Sequence, residues 1–227
     1  MVMETLTYLF THNQILNKIP KEKRAIFKQA AIPKRYKKGQ ILSFYGDLWP
    51  YLFVIGSGSI QAVKESAAGR SLVVTTFYPG DIFWGLAFFY ENMPMPVTLE
   101  ACQGSETYLW SRESVLDILK ESGEFSWELT RLMITKMTRA SEILEEMTFQ
   151  PVGSRLAKFL LESHQENQSE TITRSLTLDE MAARIGSTRE MVCRFLHRFA
   201  NDGVLEITRT EFRITNRDEL RTISQNH

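Results

Sequence analysis

The sequence predicts an α+β protein, with an antiparallel β-roll at its N-terminal end, a long helix in the middle and a winged helix-turn-helix at its C-terminal end. Three observations carry that expectation. Between residues 32 and 112, short apolar runs are broken by glycines at 39, 46, 56/58, 69 and 80, the texture of short strands joined by tight turns. Between Glu113 and Met147 there is no proline, one glycine and an apolar repeat at helical spacing. From Thr177 onward a capped short helix, a glycine turn, a second amphipathic helix and two β-prone runs follow one another, which is the order of a helix-turn-helix with a wing.

Residues 1–31 read as helical, with Ile15, Leu16 and Ile19, then Ala25, Ile26 and Phe27, near helical spacing around Pro20. YLFVI (51–55) and SLVVTTF (71–77) are the clearest strands of the β-roll. In the helix from Glu113, the residues Met133, Met137, Ala140, Leu144 and Met147 recur at spacings of 4, 3, 4 and 3. The other face carries Lys136, Arg139, Glu142, Glu145 and Glu146. This is a heptad seam for a second helix, and a single helix packed on its own domain fits the spacing equally well. Pro151 ends the helix, because proline has no N–H to donate and restricts the residue before it. The chain is thereby divided at 1–112, 113–148 and 149–227. A helix over 154–163 then puts Leu156, Phe159 and Leu160 on its apolar side, and the polar tract HQENQSETITRS (164–175) is expected to be a loop.

Composition excludes several classes of function. A chain of 227 residues, 43% hydrophobic and 24% charged, reads as globular and fills one large domain or two modest ones. No run approaches the ~20 apolar residues of a membrane span. The first residues lack the basic region of a secretory signal, so a cytoplasmic location and no membrane partner are expected. Cys102 and Cys193 are far apart with no CxxC spacing, and His12, His164, His197 and His227 are scattered. No metal or cofactor is therefore expected, and no catalytic residue, since Walker loop and nucleophile–His context are both lacking. The 27 basic and 27 acidic residues cancel, which argues against coating nucleic acid by bulk charge and leaves room for a local basic surface.

The chemistry is concentrated in 175–215. Thr177 and Glu180 form a T-x-x-E capping box for a short helix whose apolar side is Met181, Ala182 and Ile185. Gly186 supplies a left-handed turn, and Ser187 or Thr188 caps a second helix with Met191, Val192, Phe195, Leu196 and Phe199 facing inward. Asp202–Gly203 is a turn, and VLEIT and EFRIT around Arg209–Thr210 read as a β-hairpin wing. The outward face of the second helix holds Arg189, Glu190, Arg194, His197 and Arg198. Arginine bonds a guanine edge through two N–H groups, and glutamate accepts from cytosine N4. A solvated charged face, with Glu190 and Arg194 paired at i,i+4, is the bland alternative. Double-stranded DNA is the expected partner, touched by Ser187, Thr188, Arg189, Glu190, Arg194 and Arg198, with Arg209 on the wing.

I-G-S-T-R-E-M-V-C-R-F-L (185–196) resembles the recognition-helix signature of the cyclic-AMP receptor protein/FNR (CRP/FNR) family of bacterial transcription regulators. Y-K-K-G-Q-I-L (36–42), G-D (46–47), S-G-S-I (57–60), G-R (69–70) and P-G-D-I-F (79–83) resemble that family's cyclic-nucleotide-binding-like jelly roll. The resemblance implies that Arg189, Glu190 and Arg194 read a TGTGA-like half-site of an inverted repeat. It also implies a homodimer held by the 133–147 seam and RNA polymerase as a further partner. The pattern fails where the family holds its nucleotide. Gly85 stands where nucleotide-binding members carry the glutamate for the ribose, and Met95–Pro96 stand where they carry Arg-Ser for the phosphate. Cyclic AMP is therefore not the expected effector. In its place stand Trp84, Leu86, Phe88, Phe89, Met93, Met95 and Val97. These residues either line a site for an unidentified apolar small molecule, with Leu86, Met95, Val97 and Ser141 as its candidate residues, or simply fill the core. Two rival readings are a DNA binder of the same family controlled only by its abundance, and a nucleotide-type regulatory module for a catalytic partner.

Overall fold

The computed structural model describes residues 2–167, 171–173 and 176–225, with side chains at 4–163 and 176–225. It opens with helices α1 (Val2–His12) and α2 (Lys21–Gln29). The strands β1 (Ile32–Tyr36), β2 (Ile41–Ser43), β3 (Tyr51–Ser57), β4 (Ile60–Glu65), β5 (Ser71–Phe77), β6 (Ile82–Trp84), β7 (Thr98–Ala101) and β8 (Ser105–Ser111) follow. Then come α3 (Arg112–Glu121), α4 (Gly123–Phe149), α5 (Val152–Asn167) and β9 (Thr171–Thr173). The chain closes with α6 (Leu178–Ile185), α7 (Arg189–Asn201), β10 (Leu205–Ile207), β11 (Glu211–Ile214) and α8 (Arg217–Gln225). Two compact units divide it, residues 1–64 with 74–137 and residues 65–73 with 138–227. Among the described residues no helix is long and apolar enough to cross a membrane.

In the first unit the strands form two four-stranded sheets, ordered β1-β8-β3-β6 and β2-β7-β4-β5. The run YLFVI lacks the polar alternation of a half-exposed strand because β3 is covered on both faces. Phe53 and Ile55 point into an apolar core shared with Ala62, Phe77, Leu99 and Leu109 of the other strands. Leu52 and Val54 point the opposite way, against Phe10, Phe27, Val115 and Phe125 of the helices. Trp110 of β8 locks this outer layer, stacking on Phe27 at 4.8 Å and donating its indole N–H to the Phe27 carbonyl at 2.7 Å. Gly39, Gly46, Gly58, Gly69 and Gly80 all turn at positive φ as the sequence predicts, whereas Gly56 lies within β3.

The expected single helix over 113–147 is two. Ser122 breaks it in extended conformation, φ −101° and ψ 98°. No proline is needed for the break, because the Ser122 hydroxyl accepts from the Phe125 N–H at 3.3 Å and so caps the new helix. Only α4, from Gly123, is the long helix.

The second unit is built on the apolar sides of α5, α6, α7 and α8. Leu156, Leu160, Met181, Val192, Leu196, Phe199, Phe212 and Leu220 form its core. Its sheet, ordered β10-β11-β9, corrects the expectation of a loop over the whole of 164–175. Thr171–Ile172–Thr173 pairs antiparallel with Arg213–Phe212–Glu211, and β-branched residues suit such a strand. A polar tract hides a strand when its partner is remote in sequence.

Where α4 meets α5, one arginine does most of the joining. Arg155 donates from Nε to the Ile185 carbonyl at 2.9 Å and from Nη2 to that of Gly186 at 3.3 Å. Its Nη1 reaches the carbonyls of Glu146 (3.3 Å), Met147 (3.3 Å) and Gln150 (2.9 Å). These oxygens lie at the C-terminal ends of α4 and α6, where carbonyls run short of helical partners and the helix dipole favours a cation. That of Glu146 also accepts from the Gln150 N–H at 3.0 Å. Burial pulls the guanidinium pKa below its usual value, and Glu146 opposes the shift. Replacing Arg155 with Met should destabilise this unit by about 2–3 kcal/mol. Arg155→Lys should recover little, because a point charge cannot span two helix ends. Urea unfolding of both variants checks this.

Candidate nucleic-acid interface

The helix-turn-helix is set by its caps. Thr177 Oγ1 accepts from the Glu180 N–H at 3.1 Å while the Thr177 N–H donates to Glu180 Oε2 at 2.6 Å, completing the box at the start of α6. Gly186 ends α6 at φ 63° and ψ 48°, a conformation that costs any residue with a Cβ. Ser187 then turns back, its N–H donating to the Ala182 carbonyl at 2.9 Å. Thr188 Oγ1 accepts from the Met191 N–H at 3.3 Å and starts α7. Ser187 and Thr188 are half-buried and engaged in the turn.

Val192, Leu196 and Phe199 fix α7 in the core. Its opposite face presents Arg189, Glu190, Arg194, His197 and Arg198 to solvent. Arg189 Nη1 meets Asp179 Oδ2 of α6 at 3.1 Å. Arg194 lies along its own helix, with Nη2 2.8 Å from Met191 Sδ and its guanidinium 5.8 Å from the centre of the Phe195 ring. Among the described residues, Glu190 and Arg194 do not form the i,i+4 ion pair that their spacing allows. Arg198 faces Asp202 at 3.6 Å. Arg209 is exposed at the β10–β11 turn, which Thr208 closes by accepting at Oγ1 from the Glu211 N–H at 3.0 Å. Cys193 is half-buried on α7.

On α4, Met133, Met137, Ala140 and Leu144 are exposed. Met147 is instead half-buried, turned under the α6–α7 corner so that its Cε lies 2.5 Å from where a Gly186 Cβ would be. The exposed apolar stripe also takes in Trp127 and Ile134. Trp127, Ile134, Met137, Ser141 and Leu144 follow 7, 3, 4 and 3 spacing on the face opposite Phe125, Leu129 and Leu132. Sequence reasoning missed Trp127 and Ile134, although Ile134 follows Trp127, and Leu144 follows Met137, by one heptad.

Of the candidate effector residues, Met95 and Val97 are buried together in the core between the sheets. Leu86 is half-buried in a short 3₁₀ turn (Leu86–Phe88), and Ser141 is exposed on α4. A Cβ at Gly85 would fall 1.8 Å from the Trp49 carbonyl oxygen.

Two family models match the chain. A cyclic nucleotide-binding domain covers residues 33–122 and a Crp-like helix-turn-helix domain covers 154–223. The chain belongs to the CRP/FNR family. It is similar to the CRP-like cAMP-activated global transcriptional regulator of Mycobacterium tuberculosis, 28% identical over 182 residues, 77% of this chain and 80% of that one. The cyclic AMP receptor protein of Thermus thermophilus is 23% identical over 172 residues, 76% of this chain and 78% of the other. A crystal structure of a regulator assigned to the crp/fnr family from Eubacterium rectale superposes with a TM-score of 0.79 at 22% identity, covering 93% of this chain and 98% of that one. The CRP/FNR matches are transcription regulators and not enzymes, and the helix-turn-helix is their DNA-binding part.

Proposed function

We propose that the chain is a homodimeric, cytoplasmic transcription regulator that reads an inverted repeat of TGTGA-like half-sites through α7, and that its β-roll does not take cyclic AMP. The observation that carries the DNA reading is the exposed trio Arg189, Glu190 and Arg194 on a helix whose inner face is fully used by the core. Near the start of a recognition helix such residues reach base edges, while Arg198 and the wing residue Arg209 suit phosphates. RNA polymerase is the partner that such a regulator would contact on the promoter.

The dimer rests on the exposed stripe of α4. Trp127, Ile134, Met137 and Leu144 form an apolar face that two helices could bury against each other. Two-fold symmetry would then set the recognition helices about 34 Å apart, one turn of DNA.

Three features support the reading without cyclic AMP. No side chain fits at Gly85 without moving the Trp49 backbone, so a ribose-binding carboxylate has no room there. Met95, 1% exposed, fills the core beside Trp49 and Phe53, and its N–H is already donated to the Asp47 carbonyl at 2.8 Å. Arg112, the next arginine after Arg70 in sequence, is engaged with the Phe88 carbonyl at 3.0 Å and Glu91 at 2.9 Å. The same filled core favours a roll that holds no apolar effector either.

Arg189→Ala or Arg194→Ala should each cost about 1–3 kcal/mol per half-site and relax preference at one base. Arg209→Ala should weaken all sequences alike and flatten the salt dependence. Selection from randomised inverted repeats at fixed salt reads both, and a wild-type preference at every position in the two helix variants removes α7 from the account. Calorimetric titration with cyclic AMP should show no saturable heat, and one tight site per subunit would overturn that part. Leu144→Glu should set like charges across the dimer axis and shift the protein towards monomer, which sedimentation velocity measures directly.

A further inference from the structure

The ion pair between Asp179 and Arg189 links the first turns of the two helices of the DNA-binding motif. We propose that Asp179 is a specificity-determining positioning residue, whose carboxylate holds one edge of the Arg189 guanidinium and so aims the other edge at a guanine. The proposal rests on Arg189 being a base reader, as argued above.

The geometry divides the donors of Arg189 cleanly. Arginine carries five N–H groups in a rigid planar fork. Asp179 Oδ2 takes Nη1 at 3.1 Å, leaving the Nε–Nη2 edge for the paired acceptors O6 and N7 of guanine. A guanidinium already oriented on its carboxylate loses less rotamer freedom on binding than a solvated one.

The acid is also specific to this task. Its neighbour Glu180 is occupied by the capping box with Thr177. Among the described residues, the ion pair of Asp179 is with Arg189. In a helix-turn-helix the first helix crosses the DNA backbone, so a carboxylate at the start of α6 repels phosphate and lowers affinity for every sequence alike. A gain in base choice offsets that loss. The side chains of Arg189 and Asp179 are 66% and 67% exposed, so the pair adds little to folding and its removal leaves the fold intact.

The experiment compares full-length wild type, Asp179→Ala, Asp179→Asn, Arg189→Ala and the double Ala variant on randomised inverted repeats at fixed salt, with affinity for one unrelated duplex measured across a salt series. Asp179→Ala should lower the preference for the guanine facing Arg189 roughly threefold to tenfold and leave the position read by Arg194 unchanged. Its affinity for the unrelated duplex should rise, with a steeper salt dependence. Asp179→Asn keeps one acceptor oxygen and should recover part of the preference. In the Arg189→Ala background, removal of Asp179 should no longer change base choice. A wild-type preference in Asp179→Ala, beside a lost preference in Arg189→Ala, would overturn the positioning role alone. An unchanged preference in Arg189→Ala would overturn the base-reading assignment and the proposal with it. An equal loss at the Arg194 position would reduce Asp179 to a general structural residue and overturn the proposal as well.

Discussion

Five backbone carbonyls from the ends of two helices converge on the guanidinium of Arg155. Helix C-termini leave carbonyls without internal partners, and a planar fork of donors is the side chain that can serve two such ends at once. The consequence reaches the reading surface. Ile185 and Gly186 are the last residue of α6 and its left-handed cap, so the corner from which α7 starts is held from below by the same group that ends α4. Met147 fills the remaining space beside Gly186. An exposed recognition helix has half its surface in water, and this corner, with the Val192–Leu196–Phe199 stripe, keeps it in one orientation.

The exposed face of α7 shows how little of a DNA reader's chemistry needs to be buried. Arg189, Glu190 and Arg194 are solvated, so each costs little in the free protein. Base-edge hydrogen bonds of the kind such side chains make form only when a base edge replaces water. Net charge is zero over the whole chain, so long-range attraction to DNA must come from local groupings and not from the total.

The β-roll carries the fold of the cyclic nucleotide-binding domain around an apolar interior. A fold and a site are separate inheritances, so the contacts at Gly85 and Met95 bear on what the roll can hold. Trp49 lies against Gly85 so closely that no carboxylate can be placed there, and Met95 points into the aromatic core where a phosphate clamp would need a cation. The scaffold on which the outer helices pack is held through Trp110 and Phe27.

What the sequence by itself determined was carried by short-range rules. The capping box at Thr177–Glu180, the left-handed turn at Gly186 and the glycine turns of the roll all follow from conformational preference and local hydrogen bonding, and the strand at 51–55 was legible as an apolar run. The helix-turn-helix and its outward arginines were legible for the same reason. Only the tertiary structure decided which face of a helix meets what. The apolar repeat of α4 was visible, yet its exposed stripe runs through Trp127, Ile134 and Leu144, because Met147 is drawn under Gly186 and Phe125 and Leu129 into the roll's outer layer. The strand at 171–173, the Arg155 clamp and the Asp179–Arg189 pair share that origin, whereas the break at Ser122 is a local cap that the apolar spacing did not reveal. Each of those three depends on a partner brought close by folding, and sequence spacing contains no term for it.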